Sequence, residues 1–130
     1  MIGYITLGTN DFEQALNFYD ELMSHLGEKR LWATDSMAAW GSSRDVPALC
    51  IAKPFDECDA TISNGGMVAL KVSSKEQVDS AHAKAISLGG LNEGDPGPRG
   101  NGGFMVAISE ILMATSSMYI YLQKVLNKGK

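Results

Sequence analysis

The chain is poor in cysteine and histidine, with two of each. Two cysteines, Cys50 and Cys58, form no disulfide framework, which excludes the small stapled secreted folds and points to a reduced, cytoplasmic setting. Positive charge is not in excess either: 11 Lys and Arg against 15 Asp and Glu leave a net charge of −4. That balance excludes nucleic acid and anionic membrane as main partners. The opening MIGYITL carries no basic residue, so no secretory leader is expected there. The sharpest local scarcity comes late. Residues 104–123, FMVAISEILMATSSMYIYLQ, hold no Gly, Pro, Asn or Asp and a single charge, Glu110. The stretch just before, GGLNEGDPGPRGNGG (89–103), holds seven of the chain's 14 glycines. The apolar run from 104 to 122 approaches the length of a membrane span. Glu110, Thr115, Ser116 and Ser117 are costly at a bilayer centre, so a buried hairpin is expected instead.

What remains is the material of one domain: 130 residues, 45% apolar and 20% charged. Its elements come in two similar sets. YITLG (4–8) reads as a strand. Asn10 is the expected N-cap of a helix, with Glu13 three residues on as a capping-box partner. Phe12, Ala15, Leu16, Tyr19, Met23 and Leu26 fall at helical spacing, and Gly27 closes the helix. LWAT (31–34), a turn at Asp35-Ser36 and MAAW (37–40) predict a hairpin, and PALCIA (47–52) a further strand. The second set starts with MVALKV (67–72). Ser73 is the expected cap, Glu76 its partner, Val78, Ala81, Ala85 and Leu88 the apolar stripe, and Gly89-Gly90 the stop. A shift of 63 residues lays Leu7 on Leu70, Glu13-Gln14 on Glu76-Gln77 and Gly27 on Gly90. The pattern predicts a duplicated strand–helix–strand–strand–strand unit. Helices covering one sheet face make an α+β domain and leave the other face to a ligand or a partner.

MIGYITLGTNDFEQALNFYDELMSHLG and NGGMVALKVSSKEQVDSAHAKAISLGG resemble the openings of the two halves of the glyoxalase / bleomycin-resistance / extradiol-dioxygenase (vicinal oxygen chelate) superfamily. AWG (39–41), KPFD (53–56) and EGDPGPRG (93–100) resemble one bacterial glyoxalase-like subgroup. The resemblance covers residues 1–104. It implies two βαβββ modules, 1–58 and 64–125, forming a half-open, curved mixed sheet round a pocket with helices on the outer face. A homodimer is also implied. Members that use a metal hold a divalent ion through a His in the first strand of each module and a Glu in the last. Those His positions fall on Tyr4 and Met67 here. Neither a phenol nor a thioether suits a divalent ion in an N/O site, so no metal and no cofactor are expected.

The superfamily's last hairpin usually carries an Asp-x-Asp-Gly-Asn turn, which this chain lacks after residue 103. Residues 104–120 can be back-translated so that reading from the third base of codon 104 gives YGGYFRDLDGNKLNVY. That string resembles the missing hairpin, turn included. Met has a single codon, so Met105, Met113 and Met118 force Gly, Gly and Val in the shifted frame. The tail after 104 is therefore expected to be frameshifted. Its own residues still favour strands at FMVAIS and MYIYLQKV, with a weak turn at TSS (115–117). In the shifted string an Asn falls where metal-using relatives place the Glu, so neither frame supplies the ligands.

The function expected is metal-independent binding of a small molecule, or weak catalysis on an unnamed substrate. The alternatives are a metal-dependent lyase or dioxygenase with displaced ligands, and a protein inactivated by its tail. The candidate pocket residues are Tyr4, Thr6, Trp32, Trp40, Met67, Ala69 and Arg99. The tryptophans would wall an apolar pocket or else fill the core. Arg99, in the Gly-rich stretch read as a mobile loop, would grip a carboxylate. His25 reads as a solvated helix-end residue, His82 as a packing or surface residue, Cys50 as a core thiol and Cys58 as an exposed one.

Overall fold

Among the described residues, two helices and eight strands appear in the order β1 (Tyr4–Gly8), α1 (Phe12–His25), β2 (Lys29–Ala33), β3 (Met37–Gly41), β4 (Ala48–Ala52), β5 (Met67–Lys71), α2 (Lys75–Ser87), β6 (Leu91–Arg99), β7 (Phe104–Met113) and β8 (Ser116–Val125). The structure is a computed structural model, and it describes residues 1–61, 67–99, 104–113 and 116–125. The expected module junction falls partly outside the described residues, as does Thr115 of the expected last turn.

The order is βαβββ twice, in two compact units, the first built on β1–β4 and α1 and the second on β5, α2, β6 and most of β7 and β8. Each unit has a four-stranded mixed sheet, β1-β4-β3-β2 in one and β5-β8-β7-β6 in the other. The first and last strands of each unit pair in parallel over five residues, Tyr4↔Ala48 to Gly8↔Ala52 and Met67↔Tyr119 to Lys71↔Gln123. The protein is thus an α+β chain of two copies of one topology.

Both helix starts lie one residue later than the sequence pattern predicts. Asp11, not Asn10, caps α1, and its carboxylate accepts from the Gln14 N–H at 3.0 Å. Ser74, not Ser73, caps α2, and its hydroxyl accepts from the Gln77 N–H at 3.1 Å. Asn10 is drawn elsewhere: its side-chain amide donates to the Ala60 carbonyl at 2.9 Å and its side-chain oxygen accepts from the Ala60 N–H at 2.6 Å. The Gln77 side-chain oxygen Oε1 accepts from both the N–H and the hydroxyl of Ser73, each at 2.8 Å, so Gln77 instead of Glu76 reaches back over the start of the helix. Because both caps move together, the 63-residue offset survives. Gly27 (φ 82°) and Gly89 (φ 106°) follow the helix ends in left-handed conformations that a Cβ would strain.

The first unit's core sits between α1 and its sheet. Ala15, Phe18, Tyr19, Leu22 and Met23 are buried on α1, which packs on β2, β3 and β4. Phe18 and Leu22 were not in the predicted stripe, while Phe12, Leu16 and Leu26 are only half-buried. The stripe is rotated toward positions 15, 18, 19 and 22, where the sheet supplies Ala38, Trp40, Leu49 and Ile51. Tyr19 meets Phe18 edge-on at 5.1 Å and Trp40 at 5.6 Å. Burial among these rings pushes the Tyr19 phenol well above its ordinary range. On α2 the buried residues are Val78, Ala81, His82 and Ala85, and this helix packs on β6.

The Gly-rich stretch is a correction of a different kind. Residues 91–99 are not a loop but strand β6, paired antiparallel with β7 from Leu91↔Glu110 to Arg99↔Phe104. The register slips between Asn92 and Gly94 and again between Gly94 and Gly97. Bulges and an edge position let a strand carry Gly and Pro, and β6 is the edge of its sheet.

Candidate functional site

Strand alternation sorts the first sheet into two faces. The register pairs Tyr4 with Ala48, Thr6 with Cys50, Gly8 with Ala52, Met37 with Ala52 and Ala39 with Cys50. These residues share the face opposite α1. Ile5, Leu7, Ala38, Trp40, Leu49 and Ile51 share the face toward α1. Trp32, opposite Ala39 after a bulge between Arg30 and Trp32, falls on the first of these faces.

On that face lies an open cavity of about 730 Å³ in the first unit. Its floor is Tyr4, Thr6 and Gly8 from β1, Met37 from β3 and Ala52 from β4. Its wall is the segment that follows β4, from Lys53 to Thr61. Several bonds hold this wall in place. The Lys53 N–H donates to the Ser36 carbonyl at 2.8 Å, and the Glu57 N–H to the Pro54 carbonyl at 3.0 Å. Glu57 sits at φ 63°, a strained conformation for a residue with a side chain. The Asp56 carboxylate accepts from the Cys58 N–H at 3.0 Å. The reciprocal Asn10–Ala60 pair then closes the segment against the start of α1. Gly8 lets it approach, since a Cβ there would lie 3.2 Å from the Ala60 Cβ.

The lining is chemically mixed. Tyr4 and Thr6 bring hydroxyls, Met37, Pro54 and Phe55 apolar surface, and Asp56, Glu57 and Asp59 carboxylates. Lys53 is the one cation among the described residues of the lining, and its ammonium lies 5.7 Å from the centre of the Phe12 ring, a favourable seat for a cation. Phe55 is fully exposed and Tyr4 is 63% exposed, so apolar surface is open to a ligand here.

Of the residues predicted for a pocket, Tyr4 and Thr6 meet in this cavity. Trp40 does not line it. Its ring is buried against α1, where its indole N–H donates to the Asp20 carboxylate at 2.9 Å. The same carboxylate is paired with Arg30, whose guanidinium lies 6.0 Å from the Trp40 ring. A buried indole needs an acceptor for its N–H, and α1 supplies one, which fixes the face. Trp32 shares the cavity's sheet face, is 37% exposed and does not line the cavity. Met67 opens β5, Ala69 is exposed in the middle of β5, and Arg99 ends β6, all in the second unit. His25 is exposed and His82 is buried on α2. Cys50 is buried and Cys58 exposed, and burial pushes the Cys50 thiol up. The wall from Lys53 to Thr61 was not foreseen as part of a site. Its sequence signals are the turn chemistry of Pro54 and Asp56 and the resemblance of KPFD (53–56) to a glyoxalase-like subgroup.

No protein-family model matches the chain, and no curated protein matches it. Solved structures do. A glyoxalase/bleomycin resistance protein from Albidiferax ferrireducens superposes with a TM-score of 0.81 at 27% identity, over 95% of this chain and 99% of that one. The chain resembles the glyoxalase/bleomycin resistance/dioxygenase proteins and has their fold. Two more distant likenesses share its fold. A glyoxalase/bleomycin resistance protein/dioxygenase family enzyme from Burkholderia phytofirmans has a TM-score of 0.69 at 15% identity, covering 95% and 98% of the two chains. A glyoxalase-related enzyme from Fulvimarina pelagi has a TM-score of 0.69 at 16% identity, covering 94% and 87%.

This likeness raises the question of a divalent ion. The first-strand position that is His in metal-using members of the superfamily is Tyr4 here, and the floor around it offers Thr6, Gly8, Met37 and Ala52. A phenol, a hydroxyl and a thioether are a poor donor set for a divalent ion. Among the described residues no group of three or more His, Cys, Asp or Glu could hold one. The residues of this floor do not fit the superfamily's metal.

Proposed function

We propose that the protein binds a small organic molecule in the cavity on β1, using hydroxyl and apolar contacts rather than a metal. It is proposed to work as a cytoplasmic homodimer, with any catalysis on the bound molecule weak. The observation that carries this reading is the cavity itself. A space of about 730 Å³ is the size of a small-molecule site, and its floor joins two hydroxyl-bearing side chains from one strand to apolar neighbours. The Tyr4 and Thr6 hydroxyls can orient a ligand by donating or accepting. Met37 and Phe55 can cover its apolar body, and the three carboxylates of the wall favour donor groups at its edge. No helix among the described residues is long and apolar enough to cross a membrane.

The test is a thermal-shift screen followed by calorimetry, with bleomycin among the probes because structurally similar proteins are named bleomycin resistance proteins. A binder present at about 100 times its Kd raises stability by about 2.7 kcal/mol. Tyr4→Ala is expected to abolish the gain for any ligand seated in this cavity. A ligand whose binding is untouched by Tyr4→Ala and Thr6→Val would refute the site. Metal analysis of the purified protein addresses the other reading, a lyase or dioxygenase with displaced ligands. Stoichiometric Zn, Ni, Mn or Fe that remains bound through side chains would replace the metal-free reading with that one.

A further inference from the structure

Among the described residues three have positive φ: Gly27, Gly89 and Glu57. The two glycines follow helix ends, where a residue without a Cβ takes this conformation at no steric cost. Glu57 is the exception, at φ 63°. It holds the fourth place of a turn closed by its own N–H on the Pro54 carbonyl at 3.0 Å, and Gly is favoured in that place of the commonest turn. A chain with 14 glycines has not used one here. A side chain is held where it costs stability, and strain of this kind gathers at sites where a side chain acts.

The fold itself does not use the Glu57 side chain. Among the described residues no hydrogen bond or ion pair reaches its carboxylate. The neighbouring Asp56 differs, since its carboxylate accepts from the Cys58 N–H at 3.0 Å and so helps to shape the turn. Glu57 is exposed and lines the cavity of about 730 Å³. Its surroundings set the charge of what it can meet. The ammonium of Lys53 lies over the Phe12 ring, 5.7 Å from its centre, and Phe12 is not among the lining residues. Phe55 and Tyr4, both exposed, bring aromatic rings to the same space. A ring face and a carboxylate both attract an organic cation and both repel an anion.

We propose that Glu57 is the charged contact for the ligand of this cavity, and that the ligand is an organic cation, with an ammonium or amidinium group on an apolar body. This rests on the reading of the cavity as a small-molecule site. Glu57 pairs with the cationic nitrogen, while Phe55 and Tyr4 cover the apolar surface beside it. The backbone at position 57 gives up stability to hold that carboxylate over the floor of β1.

The experiment uses three probes that share one ring and differ in charge: tryptamine, a cation; tryptophol, neutral; and indole-3-acetate, an anion. Calorimetry measures each on the present chain, on Glu57→Gln and on Glu57→Gly, and the free proteins are melted alongside. Tryptamine is expected to bind about five-fold tighter than tryptophol, and indole-3-acetate weakest. The gap should close in about 1 M NaCl, which screens the charges. Glu57→Gln keeps the Cβ and loses the charge. It should melt with the present chain and lower the tryptamine affinity to that of tryptophol. Glu57→Gly loses both, so it should weaken tryptamine equally and melt about 3 °C higher. A gain in stability coupled to a loss of binding is the mark of a residue kept for function. Equal binding of tryptamine and tryptophol, or unchanged tryptamine binding by Glu57→Gln, overturns the proposal and leaves the cavity reading standing. A Glu57→Gly protein that does not melt higher overturns it too, because no strain has been relieved. So does a failure of tryptamine to bind, and the cavity reading is then decided by the ligand screen and Tyr4→Ala alone.

Discussion

The two helices hold the same place in two copies of one topology, yet they bury very different side chains. Helix α1 inserts Phe18, Tyr19, Leu22 and Met23, and its sheet answers with Trp40 and Ile51. Helix α2 buries Val78, Ala81, His82 and Ala85. Both keep the same N-cap hydrogen bond, from the N–H three residues on, and a left-handed glycine stop. Topology and register are thus carried by caps, stops and strand pairing, which survive duplication with little sequence identity. The strength of the helix–sheet contact is carried by side-chain volume, which is free to diverge. Burial favours the larger set by about 1.5–3 kcal/mol for each large apolar side chain fully covered. The first unit is expected to be the more stable half.

The most forceful way to break this contrast is Trp40→Ala. It removes the ring against Tyr19 and strands part of the Asp20–Arg30 pair, and it should cost about 3–5 kcal/mol, read as a lowered urea midpoint. Ala81→Gly on α2, buried but small, should cost about 1 kcal/mol. Equal losses at the two positions would erase the contrast. Next in size is Asp20→Ala. It leaves the buried indole N–H without its acceptor and should cost about 2 kcal/mol. The partly exposed ion pair with Arg30 adds little to that figure.

A pH series sharpens the comparison from another side. The folded-state phenol of Tyr19 titrates above its ordinary value of 10.0 because burial penalises the phenolate. Its stabilising contribution is therefore complete below about pH 10 and is lost as the pH rises through the folded-state value. Cys50 acts in the same direction from its ordinary value of 9.0 upward. The urea midpoint should fall from about pH 9 onward, and Tyr19→Phe should flatten the part above pH 10. A Tyr19→Phe protein with the same alkaline slope would show that the slope arises elsewhere. The smallest expected effects are at the caps. Asp11→Ala and Ser74→Ala should each cost about 1 kcal/mol, and a marked inequality would show that the shared capping grammar is not shared energetically.

Much of the fold was legible because local chemistry and tertiary structure agree. YITLG, MAAW and MVALKV become strands, and Gly27 and Gly89 stop helices, as their spacing predicts. The caps were misplaced by one residue because Asn10 has a long-range partner, Ala60, fifty residues away. No local pattern reveals such a bond. The strand at 91–99 was hidden for a related reason. Its glycines and prolines are tolerated through register slips and an edge position, and both are properties of the neighbouring strands. The site was half legible. Tyr4 and Thr6 alternate on one strand, so they had to share a face. Trp40 could have faced either way, and the acceptor on Asp20 decided it.

The amino-acid sequence by itself determined the duplication, the α+β class, the absence of a His at positions 4 and 67, and the conflict between an apolar tail and the turn it must contain. These are statements about residue type and periodicity, which need no neighbours. Only the tertiary structure decided which face of the first sheet is open, what walls the cavity there, and that residues 91–99 form an edge strand. Those depend on which distant groups meet. Burial and hydrogen bonding reward a meeting only once the chain has brought both partners together.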